Sequence, residues 1–369
     1  MRSPPTSWVG VPFSVSCSHL PASGRNPEGQ LVEGLRIACM GAVTSFVHEP
    51  VMLDEVVGLL AVVPPGIYLD CTLGGGGHAK AILDAAPQLS LVGVDRDPSA
   101  LEAAGEALAG FGSRATLHQA RFDRVEEFLD ATRVSALTAV LFDLGVSSPQ
   151  LDRGERGFSF RVDGPLDMRM DPRGSVTADS IVNGWPVGEL AELFREHGER
   201  RFARRIAGAI AERRPLTSTV ELAEVVKEAI PAAARRTGGH PARRVFQAVR
   251  VAVNDELVIL GPALDRLVYR LAPGGRCVTI AYHSGEDRIV KDCFRRASRG
   301  GCTCPPQLPC VCGATPRVRH LTRGALRPSQ SEIERNRRAQ SARLRAVEAL
   351  DSGPDAVGGP DAVGGPARS

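Results

Sequence analysis

Four consecutive glycines, Gly74 to Gly77, constrain the fold of this chain more than any other feature of its sequence. They follow the apolar run Ile67-Tyr-Leu-Asp-Cys71 and precede Ala79-Lys-Ala-Ile-Leu83, whose apolar spacing is helical. Residues without a Cβ interrupt both regular elements and let backbone amides come close to a ligand, so the segment reads as strand, tight turn, helix. Leu91-Val-Gly-Val-Asp95 predicts a second strand, and Pro98 suits the first turn of the helix after it. Ala115 to His118 and Ala139-Val-Leu-Phe-Asp143 predict a third and a fourth. Continuous apolar strands alternating with helices imply an α/β fold, a doubly wound and mostly parallel sheet covered on both faces.

At 369 residues, one large core with an insertion, or two domains, is expected. Residues 1–44 mix Pro, Ser and Gly without periodicity and read as a disordered extension, while the repeated Gly-Pro-Asp-Ala-Val-Gly within 351–369 reads as a disordered low-complexity tail. Residues 45–151 form the first part of the sheet domain and 244–350 the second. Between them 152–243 reads as an inserted helical subdomain, with helical patterns over Val187 to Arg213 and Thr219 to Arg235. The second part predicts a long helix from Arg244 to Leu271, the turn Pro273-Gly-Gly275, the strand Cys277 to Ala281, an edge strand at Val318 to Arg323, and an arginine-rich helix from Glu332 to Leu350.

No apolar run approaches the roughly 18 residues of a membrane span, and the N-terminus lacks a signal-peptide pattern. Nine cysteines in a chain this long fit a reducing cytoplasm better than a disulfide scaffold. A formal charge of +3 does not by itself point to nucleic acid; the placement of the arginines matters more.

In a doubly wound sheet, ligands bind beyond the carboxyl ends of the strands. The glycine loop, Asp95 at 21 positions after Gly74, and Asp143 all fall there. Asp95 is spaced to accept hydrogen bonds from ribose hydroxyls, and Phe122 either flanks an adenine or belongs to the core. Gly74 to Ala79 also satisfies G-x-G-x-x-A, which leaves an NAD-dependent oxidoreductase open, although no second domain shows an obvious hydride-transfer histidine or lysine.

His48-Glu-Pro-Val-Met-Leu-Asp-Glu55, Asp70-Cys-Thr-Leu-Gly-Gly-Gly-Gly-His78, Val94-Asp-Arg-Asp-Pro98, Phe142-Asp-Leu-Gly-Val-Ser-Ser-Pro-Gln-Leu-Asp152, Arg156-Gly-Phe-Ser-Phe160, Pro165 to Asp171, Phe246-Gln-Ala-Val-Arg250 and Tyr282-His-Ser-Gly-Glu-Asp-Arg-Ile-Val290 resemble the MraW-type family of ribosomal RNA small-subunit methyltransferases, in consistent order over about residues 46–345. The resemblance implies a class I methyltransferase that uses S-adenosyl-L-methionine to methylate N4 of a cytidine in the decoding region of 16S rRNA. It implies a cofactor site of Gly76, Gly77, His78, Asp95, Phe122, Asp143 and Gln150, and a 16S rRNA partner within the small ribosomal subunit. Gly285, where the family pattern has leucine, and Asn336-Arg-Arg-Ala, where it has Asn-Pro-Arg-Ala, depart from it. A binding factor that keeps the fold without catalysis stays open, and so does a homodimer.

Methyl transfer to an amine conjugated with a pyrimidine ring needs positioning and an acceptor for one N–H. Ser147 is the first candidate and His283 the second, both placed after sheet strands. Phe158 and Phe160 lie in a polar, glycine-rich loop and are candidates to stack on an extruded base. Arg195, Arg200, Arg201, Arg204 and Arg205, with Arg243, Arg244 and Arg250, are candidate phosphate contacts. Cys302-x-Cys304 and Cys310-x-Cys312 suit either zinc or free, redox-sensitive thiols, and no metal is assigned.

Overall fold

The computed structural model describes residues 50–235, 240–302, 304, 305, 307 and 311–351. The expected N-terminal extension and repeat tail lie outside them, Asp351 aside. The chain begins with helix α1 (Leu53–Leu60) and then alternates: β1 (Gly66–Asp70), α2 (Gly77–Ala85), β2 (Leu89–Asp95), α3 (Pro98–Leu108), β3 (Ala115–Gln119), α4 (Val125–Ala131) and β4 (Leu137–Asp143). The short α5 (Ser148–Asp152) leads into an all-helical stretch of α6 (Ala178–Gly184), α7 (Val187–Glu196), α8 (Ala203–Glu212), α9 (Thr219–Ala229), α10 (Ala232–Arg235) and α11 (Arg243–Val253). After α12 (Glu256–Tyr269) the sheet resumes with β5 (Leu271–Ala281), α13 (Ser284–Ser298), β6 (Val318–His320), α14 (Gln330–Arg335) and β7 (Arg343–Ala349).

The strands form one sheet of order β3-β2-β1-β4-β5-β7-β6. The first five are parallel, whereas β7 pairs antiparallel with both β5 and β6. Side chains alternate between two buried layers. Leu69, Val92, Val140 and Phe142 face α12 and α13, and Tyr68, Leu91, Ala139 and Leu141 face α1 and α2. Both faces being covered explains why these strands are apolar without interruption, and each fully buried Leu or Phe contributes roughly 1.5–3 kcal/mol. The order reverses direction between β1 and β4, so the ligand crevice opens beyond their carboxyl ends.

The helical stretch has a core of its own, in which Phe158, Leu190, Phe194, Ile206, Leu222 and Val249 are buried together. Among the described residues no helix is long and apolar enough to cross a membrane.

Three elements differ from expectation. The long helix from Arg244 is broken at Asn254 and Asp255, because Asp255 adopts a left-handed backbone (φ 53°) and the Asn254 side chain, besides bonding the Arg250 carbonyl, ties the helix end to Met168 and Met170 of a neighbouring loop. Pro273 to Gly275 is not a turn before the strand but an irregular stretch within β5, where its register against β4 shifts. The arginine-rich helix from Glu332 is a short helix followed by strand β7. Its sequence is rich in helix formers, yet Leu344 and Ala346 point into the core while Arg343 and Arg345 reach Asp287 at 3.0 and 2.8 Å. Period-two burial overrode propensity there.

Candidate active site

The glycine loop turns sharply because two of its residues are left-handed, Gly74 (φ 52°) and Gly76 (φ 78°). Its packing is tight: a Cβ on Gly77 would lie 2.6 Å from the Pro50 ring, whereas one on Gly75 would meet nothing within 4 Å. No side chain caps α2, so the amides of its first turn face outward at the positive end of the helix dipole.

Three carboxylates surround this turn. Asp95 Oδ2 accepts from the Gly74 amide at 2.8 Å and Oδ1 from the Asp97 amide at 2.9 Å, which ties β2 to the loop. Each oxygen keeps a second lone pair. Burial raises the Asp95 carboxyl above its ordinary value, opposed by those two amides. Asp143, ending β4, accepts from the Tyr282 hydroxyl at 2.8 Å, and its own amide donates to Thr72 Oγ1 at 2.6 Å. Burial pushes this carboxyl up to about 7 despite the Tyr282 bond. Asp70, ending β1, takes the Tyr68 hydroxyl at 2.6 Å and the Thr72 amide at 3.1 Å, and burial pushes it up to about 6.

His78 Nε2 is 3.0 Å from the Val51 carbonyl. A carbonyl only accepts, so Nε2 carries the proton and Nδ1 is left facing Asp143 Oδ2 at 3.6 Å. Burial lowers the His78 pKa, which favours the neutral ring.

Asp97 organises the opposite wall. It caps α3 through Ser99, accepts from Gln150 Nε2 at 2.9 Å, and pairs with Arg156 Nη1 at 2.9 Å. Burial alone would raise this carboxyl, but the bonds from Gln150 and Ser99 and the Arg156 charge hold it below the usual value. Arg156 continues to the carbonyls of Arg169 and Met170, and Gln150 Oε1 accepts from the Ser147 amide at 3.1 Å. A single buried carboxylate thus joins β2, the loop after β4, and the entry to the helical stretch. The Ser147 hydroxyl is half-buried and has no hydrogen-bond partner among the described residues.

The structure therefore brings together Gly76, Gly77, His78, Asp95, Asp143, Ser147 and Gln150, and adds Asp70, Thr72, Asp97, Arg156 and Tyr282. Asp70 and Asp97 stood in the quoted motifs without a role. The signal that could have found Asp70 is the one used for Asp95 and Asp143, an aspartate closing an apolar strand.

Other expectations are revised. Phe122 is buried edge-on against Phe142, with centroids 5.5 Å apart, and belongs to the core beneath the crevice. Phe158 is buried in the helical core with the Arg156 guanidinium over its ring, because the glycine-rich loop folds back on the helices; it is not exposed for stacking. Phe160 is half-buried and stacks on His240 at 4.5 Å. His283 caps α13, accepting from the amides of Gly285 and Glu286, while its Nε2 lies 3.0 Å from Glu286 Oε1. Arg250 is no surface contact: Glu256 holds it bidentately at 2.9 and 2.8 Å. Arg200, Arg201, Arg204 and Arg205 are exposed and form no ion pair among the described residues. Arg244 is exposed beside them, 3.4 Å from Glu199.

A profile described as the MraW methylase family matches residues 45–350. The chain belongs to that family. Family relatives include the ribosomal RNA small subunit methyltransferase H of Symbiobacterium thermophilum, 50% identical over 85% of this chain and 99% of that protein, and that of Heliobacterium modesticaldum, 49% identical over 83% and 99%. Among solved structures, a putative methyltransferase from Streptococcus mutans in complex with SAH aligns over 81% of this chain and 97% of that one, at 12% identity and a TM-score of 0.36. None of these matches supports the homodimer that the sequence left open.

Proposed function

We propose that this chain transfers a methyl group from S-adenosyl-L-methionine to N4 of a cytidine in the decoding region of 16S rRNA, acting on the small ribosomal subunit in the cytoplasm. The observation that carries the reading is the pairing of an uncapped α2 N-terminus and its glycine loop with Asp95 on the neighbouring strand, in a chain of a methylase family. The residues fit the donor. The first-turn amides of α2 suit its carboxylate, the free lone pairs of Asp95 suit the ribose hydroxyls, and Asp143 with His78 suits the cationic amino end. When bound, the donor supplies an electrophilic methyl group.

This chain's own residues orient and desolvate. Asp97 fixes Gln150 and Arg156, and thereby the Ser147 loop beyond β4, where the pyrimidine must enter. The unpartnered Ser147 hydroxyl accepts one N4–H, which concentrates density on the nitrogen as it attacks. His283 acts one step away, as a positioning residue that caps α13 and fixes Tyr282 through Glu286, whose Oε2 accepts from the Tyr282 amide at 2.7 Å. The helical subdomain, with Arg200, Arg201, Arg204 and Arg244, grips phosphates, and Phe160 with His240 offers an aromatic surface for the extruded base.

Labelled methyl incorporation into small subunits from cells lacking the protein, followed by mapping of the modified nucleotide, tests this reading. One N4-methylated cytidine in the decoding region is expected; incorporation elsewhere, or none, overturns it. An NAD-dependent oxidoreductase would instead bind NAD and show no affinity for S-adenosylhomocysteine.

A further inference from the structure

Residues 299–317, between α13 and β6, form a long connection without regular structure among its described residues. Connections of this length are uncommon in compact folds unless something holds them. Its base is closed: the Arg317 amide donates to the Ala297 carbonyl at 2.9 Å, and Gly300 lies so near Thr315 that a Cβ there would stand 2.2 Å from the Thr315 carbonyl oxygen. Within the pinched loop the thiol sulfurs of Cys302, Cys304 and Cys312 all lie within 4.8 Å of one another.

The chemistry of the segment points to one kind of ligand. It contains four cysteines and no histidine, aspartate or glutamate, so any ion it takes has an all-sulfur shell, which selects a soft or borderline metal over magnesium or calcium. Tetrahedral zinc with bonds of about 2.3 Å places its sulfurs roughly 3.8 Å apart, a contraction of about 1 Å from the upper limit observed. That spacing suits one ion.

We propose that Cys302, Cys304 and Cys312 bind one structural zinc ion that fastens this loop. Cys310, which the sequence groups with them, lies outside the described residues. Helix α13 carries the chain about 22 Å from His283, at the ligand crevice, to the start of the loop, so the ion sits away from the chemistry. Its task is to anchor the turn into β6, the edge strand beside β7.

Elemental analysis of the full chain, purified under reductant without a metal-binding tag, gives about one zinc per chain on this account. Titration with a mercurial thiol reagent releases that zinc. The double substitution Cys304→Ser with Cys312→Ser reduces zinc to background, while S-adenosylhomocysteine binding persists. Chelator lowers the melting temperature of the wild-type protein and leaves that of the variant unchanged. Should the variant not fold, the wild-type zinc content and its mercurial release decide by themselves. Wild-type protein without zinc, with these cysteines reactive as thiols or joined in disulfides by mass spectrometry, overturns the proposal, as does iron in zinc's place.

Discussion

The carboxyl edge of the sheet and the arginine face of the helical stretch are built on opposite principles. At the sheet edge, Asp70 and Asp97 are buried and Asp143 is partly buried, and each carboxylate is held by at least one hydrogen bond from a side chain. On the helical face, Arg200, Arg201 and Arg204 are exposed and lack ion partners among the described residues. The first arrangement fixes atoms; the second supplies charge. A reaction that needs a methyl carbon in line with one nitrogen requires the former, and a polyanion that must be found and held requires only the latter. Damage at the sheet edge should therefore be local and severe, and damage at the arginine face graded and dependent on salt.

Asp97→Ala tests the first half hardest. It leaves Arg156 partly buried without its partner and frees Gln150, so a loss of about 3–5 kcal/mol in unfolding free energy is expected, as for other broken buried pairs. Chemical denaturation measures it, and a loss below about 1 kcal/mol would place the organising role elsewhere.

The pH dependence comes next. Burial raises Asp143 from the ordinary 3.8 to about 7, so its contribution to stability is full below about pH 4 and is lost as pH rises through about 7. Asp143→Asn mimics the neutral form, and its stability relative to wild type should grow across that interval. Donor affinity of the wild type should move the other way, weakening as pH falls below about 7, because the protonated carboxyl no longer attracts the cationic amino end. A stability difference that stays level from pH 4 to 8 would contradict the shift.

The arginine face predicts smaller, salt-linked effects. Replacing Arg200, Arg201 and Arg204 together by alanine should lower the slope of log affinity for RNA against log salt by about 2, with S-adenosylhomocysteine binding unchanged. An unchanged slope removes these residues from the interface. His283→Ala, loss of a helix cap, should cost about 1 kcal/mol in thermal unfolding and leave the single-turnover rate at its pH optimum within a few-fold. A collapse of that rate in a folded variant would restore His283 as an acceptor in the reaction.

The same contrast describes what the sequence discloses. The strands that frame the crevice were legible because two-sided burial makes them uniformly apolar and each ends on an aspartate at a glycine turn or loop. Strand β7 was not, since Arg343, Leu344, Arg345 and Ala346 are good helix formers and only the antiparallel partner β5 gives their alternation meaning. Asp97 escaped notice because its partners Gln150 and Arg156 lie 53 and 59 positions away, a distance at which no local pattern operates. Phe158 was misplaced for the converse reason: its polar, glycine-rich neighbours look like surface, while its ring enters a core assembled from helices far along the chain.

The most direct test of the account is calorimetric titration of S-adenosylhomocysteine into the full chain and into Asp95→Asn. One-to-one binding that weakens about tenfold or more in the variant, with folding retained, is the predicted result. No binding by the wild type, or equal affinity in the two proteins, would contradict it.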